Sequence, residues 1–110
     1  MLDFRLYLAQ RISAMILAPL VLLHLGVMIY AVQGGLSAEE ILGRTRDSLW
    51  WGSVYGLFVL AVAIHAAIGL RVIVAEWLGL RKPALDTLMW LVMLGLLALG
   101  GRAVYAVTLA

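Results

Sequence analysis

Three long apolar runs, roughly 12–32, 50–74 and 85–109, are separated by short charged clusters, and this pattern constrains the chain more than any other feature. Each run is long enough, at about 1.5 Å per helical residue, to cross a hydrocarbon core about 30 Å thick. In lipid the backbone must satisfy its own hydrogen bonds, and the roughly 10-residue alternation of a membrane barrel strand is absent, so all three runs are expected to be helices. Composition agrees: 65% hydrophobic content over 110 residues, with a mean hydropathy of +1.09, leaves too little polar surface for a soluble domain of this size. The fold class expected is all-α, a single transmembrane domain of three spans running up, down and up. The first run follows Arg5 and Arg11 as a signal peptide would, but it exceeds the usual h-region of about 7–15 residues and no A-x-A site follows. It is read as a retained helix.

The connections carry their own signals. Gly34-Gly35 precedes Ser37-Ala-Glu-Glu40, whose Ser37 and Glu40 have capping-box spacing, so a short surface helix is expected there. Gly79 followed by Pro83 predicts a tight turn that makes the second and third spans an antiparallel hairpin. Arg5, Arg11, Arg71, Arg81 and Lys82 flank one side and Arg44, Arg46 and Arg102 the other. The positive-inside rule therefore puts the N-terminus in the cytoplasm. Trp50, Trp51 and Tyr105 on the outer side, with Trp77 and Trp90 toward the inner, have the distribution of interfacial aromatic belts.

Several functions are excluded. The chain has no cysteine, hence no disulfide, thiolate zinc site, cysteine-ligated cluster or covalent haem attachment. A net charge of +2, scattered along the chain, offers nothing to nucleic acid. No P-loop, dinucleotide fingerprint, HExxH, GxSxG or pair of intramembrane carboxylates occurs. Any catalysis must be shared with other chains.

The polar residues inside the spans are the candidates for chemistry. His65 lies in the middle of the second span, where an imidazole is costly unless paired or bound. Ala61 and Gly69, one turn to either side, keep bulk away from it, so a flat macrocycle fits the pattern; the alternative is an interhelical hydrogen bond. His24 in the first span, flanked by Leu20 and Met28, has the same two readings. Depth counts put the two histidines at levels about 8 Å apart, whereas two imidazole nitrogens on one iron lie only about 4 Å apart. Joint ligation within one chain is therefore not expected, and a second chain should supply the partner ligand.

Glu76 shares a face with His65, about 20° around the helix and roughly 16 Å along it. It could take part in proton delivery or subunit docking, or pair with Arg71 or Arg81. Arg11 and Ser13 could contact a propionate or a quinone carbonyl, although Arg11 could equally be a snorkelling topology determinant. Arg71, six residues beyond His65, is expected at the interface rather than at the ligand. Gly52 and Gly56 form a GxxxG element that predicts close helix packing, and Pro19 predicts a kink in the first span about one turn before His24, with a carbonyl freed.

These residues together resemble the cytochrome b membrane-anchor subunits of succinate dehydrogenase and fumarate reductase. The segment Ile64-His65-Ala-Ala-Ile-Gly69-Leu-Arg71, continuing to Glu76-Trp77, is similar to that family's H-xxx-G-x-R motif with an acidic residue eleven positions after the histidine. Gln10-Arg11-Ile12-Ser13-Ala14 resembles its H-R-x-S-G element, with Gln10 and Ala14 as departures, and Trp77 stands where one branch has a quinone-contacting tyrosine. The resemblance implies that His65 is the axial haem b ligand, facing a histidine of a second anchor chain in a six-helix bundle. It also implies Arg11 and Ser13 near the propionates and the quinone, and His24 as ligand in the variant with two haems. The expected partners are an iron–sulfur subunit, a flavoprotein subunit, quinone and the bilayer of the cell inner membrane. The expected function is passage of electrons between the iron–sulfur subunit and quinone. Two other readings stay open: a haem-free structural anchor of the same complex, and a small proton-conducting transporter subunit using His65 and Glu76.

Overall fold

The computed structural model describes residues 3–109, which form four helices and, among the described residues, no strand: α1 (Phe4–Gly34), α2 (Ala38–Thr45), α3 (Leu49–Leu78) and α4 (Lys82–Thr108). Three of these are long and apolar enough to span a membrane, so this is a multi-pass, three-span helical protein. Its longest dimension, 48 Å, is close to the length of a single 30-residue helix, about 45 Å at 1.5 Å per residue. α1 starts at Phe4, eight residues before the expected span, because Asp3 caps it by accepting from the Leu6 amide at 2.9 Å. The apolar run marks only the part of that helix meant for hydrocarbon. Arg5 and Arg11 continue the same helix into the interface, where their charges stay hydrated.

The connections follow their local chemistry. Ser37 caps α2 by accepting from the Glu40 amide at 3.2 Å, as the spacing predicts, while the Glu40 carboxylate folds onto Gly35. Gly79 ends α3 in the left-handed region at φ 61°, and Pro83 falls in the first turn of α4, where its missing N–H costs nothing.

α3 is the central helix, packed against α1 on one side and α4 on the other, antiparallel to both. Toward the turn that joins α3 and α4, the helices converge: buried Ala67, Ile68 and Met89 meet Leu6, Ala9, Ile64, Val92 and Met93. At the far end α2 is tied to the end of α4. The Thr45 hydroxyl donates to the Val107 carbonyl at 2.6 Å and the Asp47 amide donates to the Thr108 carbonyl at 2.7 Å. These donors satisfy carbonyls that a helix C-terminus otherwise leaves without partners. Close approach of α3 and α4 runs through Gly100, where a Cβ would come within 2.5 Å of Val59 Cγ1. The expected GxxxG pair does less. Gly52 meets Thr108 at ordinary contact distance, and nothing lies within 4 Å of the Cβ position at Gly56.

Candidate functional site

His65 and Ser13 meet across the α1–α3 interface. Ser13, only 3% exposed, donates its hydroxyl to the Gln10 carbonyl at 2.9 Å, and its Oγ lies 3.3 Å from His65 Nδ1. A serine hydroxyl has a single hydrogen. With that hydrogen on the Gln10 carbonyl, Oγ can only accept from the ring, so Nδ1 carries the proton and Nε2 keeps the lone pair. Gln10 Oε1 is the one buried side-chain polar atom without a partner among the described residues. His65 Nε2, which has no hydrogen bond within the described chain, is therefore not enclosed; it is open to whatever packs against this unit.

The small residues beside His65 are used differently from the expectation. Ala61 is 3% exposed, and the Gln10 amide nitrogen would stand 3.4 Å from a Cβ at Gly69. The Gly69 notch admits α1's own side chain, so the room cleared on that side serves helix packing. A flat ligand would have to approach from the Nε2 side.

The other expected residues lie elsewhere. Arg11, two positions before Ser13, is about 200° around α1 from it and is exposed. The structure thus brings Ser13 and His65 together and leaves Arg11 on the opposite face of α1. His24 packs edge-on against Phe58, with ring centroids 5.1 Å apart, and against Tyr55 at 6.2 Å. Phe58 and Tyr55 precede His65 by seven and ten residues of α3. That puts His24 some 10–15 Å further along the bundle, and the two histidines are not level, as the depth count predicts. Glu76 is exposed at the other end of α3.

Arg71 departs most from its expected position. It is 4% exposed rather than interfacial, and its Nη2 pairs with Asp86 Oδ1 of α4 at 3.1 Å, supported by Nε at 3.4 Å. The pairing of Glu76 with Arg71 considered from sequence is thereby corrected: Asp86 holds the guanidinium. A signal for this exists in the chain. Arg71 lies eight residues before Gly79 and Asp86 seven after it, which puts them level across an antiparallel hairpin.

The site defines a class of protein: a three-span helical membrane protein whose mid-span imidazole lies against a buried hydroxyl of its first helix and keeps its other ring nitrogen open. The chain belongs to the succinate dehydrogenase/fumarate reductase transmembrane subunit family, whose model matches residues 2–105. It is thus a membrane subunit of that kind of complex. No curated protein and no solved structure matches it.

Proposed function

We propose that this chain is the haem b-binding membrane anchor of a succinate:quinone oxidoreductase, with His65 Nε2 as one axial ligand. The second ligand would be the equivalent imidazole of another anchor chain, the two chains together making a six-helix bundle. The observation that carries this reading is the Ser13–His65 contact, because a hydrogen-bonded Nδ1–H with a lone pair left on Nε2 is the form of imidazole that binds iron. Bound there, haem b supplies a one-electron carrier between the iron–sulfur subunit and quinone.

The chain's own residues orient and insulate. Ser13 holds the ring and, by accepting from Nδ1, fixes its orientation and its tautomer. Buried Ala67 and Ile68 close the bundle beside it against water. The unpaired Gln10 Oε1 is an acceptor suited to the hydroxyl of a reduced quinone or of a protonated propionate. Arg11, on the outer face of α1, is available to propionate or quinone oxygens only where a second chain packs on that face. The basic residues at the ends of α1, α3 and α4 favour an inner-membrane protein with its N-terminus in the cytoplasm, where the iron–sulfur and flavoprotein subunits would dock.

We assign one haem to His65. The His24 ring packs in T-shaped contact with Phe58 and Tyr55, and a second haem there is tested alongside. The experiment is a reduced-minus-oxidised spectrum with haem quantification on the purified complex, for the wild type, His65→Ala and His24→Ala. Loss of the b-type band in His65→Ala, with retention in His24→Ala, is the expected result. A wild-type complex without the band would make the chain a haem-free anchor, and proton flux through vesicles of the chain alone would support the transporter reading instead.

A further inference from the structure

Away from the α3–α4 turn, α1 and α4 flank α3 without closing on each other and leave a cleft of about 680 Å3, floored by α3 and roofed by α2. Its walls include Met28 of α1, Phe58 and Val62 of α3, and Leu96 and Val107 of α4, and Arg44 of α2 stands at its rim. The Arg44 guanidinium lies 5.3 Å from the centre of the Tyr30 ring, which holds it in place. Arg44 has no carboxylate partner among the described residues. Glu40, one turn before it, has its carboxylate folded onto Gly35 instead.

The dimensions select the occupant. Along α4 the lining runs from Leu96 to Val107, about 16 Å of helix, against about 15 Å for half of a hydrocarbon core. The cleft is therefore one leaflet deep, apolar along its length, with a single cation where the headgroups lie. A macrocycle would find only one imidazole in the lining, that of His24, already packed on two aromatic rings. We propose that the cleft holds an acyl chain of an anionic phospholipid from the leaflet on the α2 side, with the lipid phosphate bound by Arg44. A guanidinium fork matches phosphate oxygens, and the bound chain would fill the space between α1 and α4.

The test uses the purified complex, delipidated and titrated with phosphatidylglycerol or phosphatidylcholine while thermal unfolding is followed, together with native mass spectra and haem quantification. Phosphatidylglycerol should be retained through detergent exchange and should raise the unfolding temperature more than phosphatidylcholine. Arg44→Gln should weaken phosphatidylglycerol about fivefold, to the level of phosphatidylcholine. Ala103→Phe, which fills the cleft from an exposed helix position away from Arg44, should abolish retention of both lipids. Neither substitution should change the haem bound at His65, so failure of this proposal is distinguishable from failure of the haem assignment. Equal binding of the two lipids, wild-type binding by either variant, no retained lipid, or a second b-type haem lost in His24→Ala would each overturn it.

Discussion

Replacing Ser13 by alanine isolates the step on which the His65 assignment depends. The substitution removes the acceptor for His65 Nδ1–H from a residue only 3% exposed, where water cannot readily replace it. An unsatisfied buried donor costs about 1–3 kcal/mol. The 3.3 Å contact is slightly longer than the usual range of about 2.7–3.2 Å, which places this bond in the lower half of that cost, about 1–2 kcal/mol. At about 1.4 kcal/mol per factor of ten, haem affinity should fall roughly 5- to 30-fold, overlapping the 10- to 100-fold typical of outer-shell partners of metal ligands. The measurement is haem titration into haem-depleted complex, followed by the b-type absorption, for the wild type, Ser13→Ala and Ser13→Thr. Threonine keeps the hydroxyl and should retain most of the affinity. An unchanged affinity in Ser13→Ala would refute the tautomer reasoning, and an equal loss in both variants would show that packing, not the hydroxyl, supports the site.

Other substitutions probe the frame that holds the site. Gly100→Ala brings a Cβ within 2.5 Å of Val59 Cγ1 and should destabilise the complex by about 1–3 kcal/mol in unfolding assays. Gly101→Ala, with nothing within 4 Å, should be neutral or stabilising by up to about 1 kcal/mol, and equal stability of the two variants would refute the close approach. Asp86→Ala leaves Arg71 enclosed without a partner. Because the Asp86 side chain is 40% exposed, the loss should be about 1–3 kcal/mol, below the 3–5 of a fully enclosed pair, and Arg71→Met combined with Asp86→Leu should recover most of it. Thr45→Val removes the hydroxyl bond to the Val107 carbonyl and should speed hydrogen exchange at the neighbouring Asp47 amide, at a cost of about 1 kcal/mol; unchanged exchange there would mean α2 is held to α4 by other contacts.

Much of the fold is legible in the order of residues because the bilayer imposes a few strong rules. Three apolar runs have to become helices, since no other element built from runs of this kind satisfies the backbone in hydrocarbon. Ser37 and Gly79 act within a turn of their own positions, so their roles can be read locally. That His65 takes a polar partner is equally legible, because a polar ring in mid-span demands one wherever it points.

What only the packed helices decide is which partner each polar group takes and where space is left. Ser13 rather than Arg11 faces His65, Asp86 rather than Glu76 holds Arg71, and Gly100 rather than Gly56 carries the close contact between α3 and α4. The separation of α1 from α4 that opens the cleft beneath α2 is likewise tertiary. Helical period and depth can be counted along a single chain, but the rotation of each helix about its own axis is set by its neighbours. A difference of about 100° per residue determines which side chain reaches across.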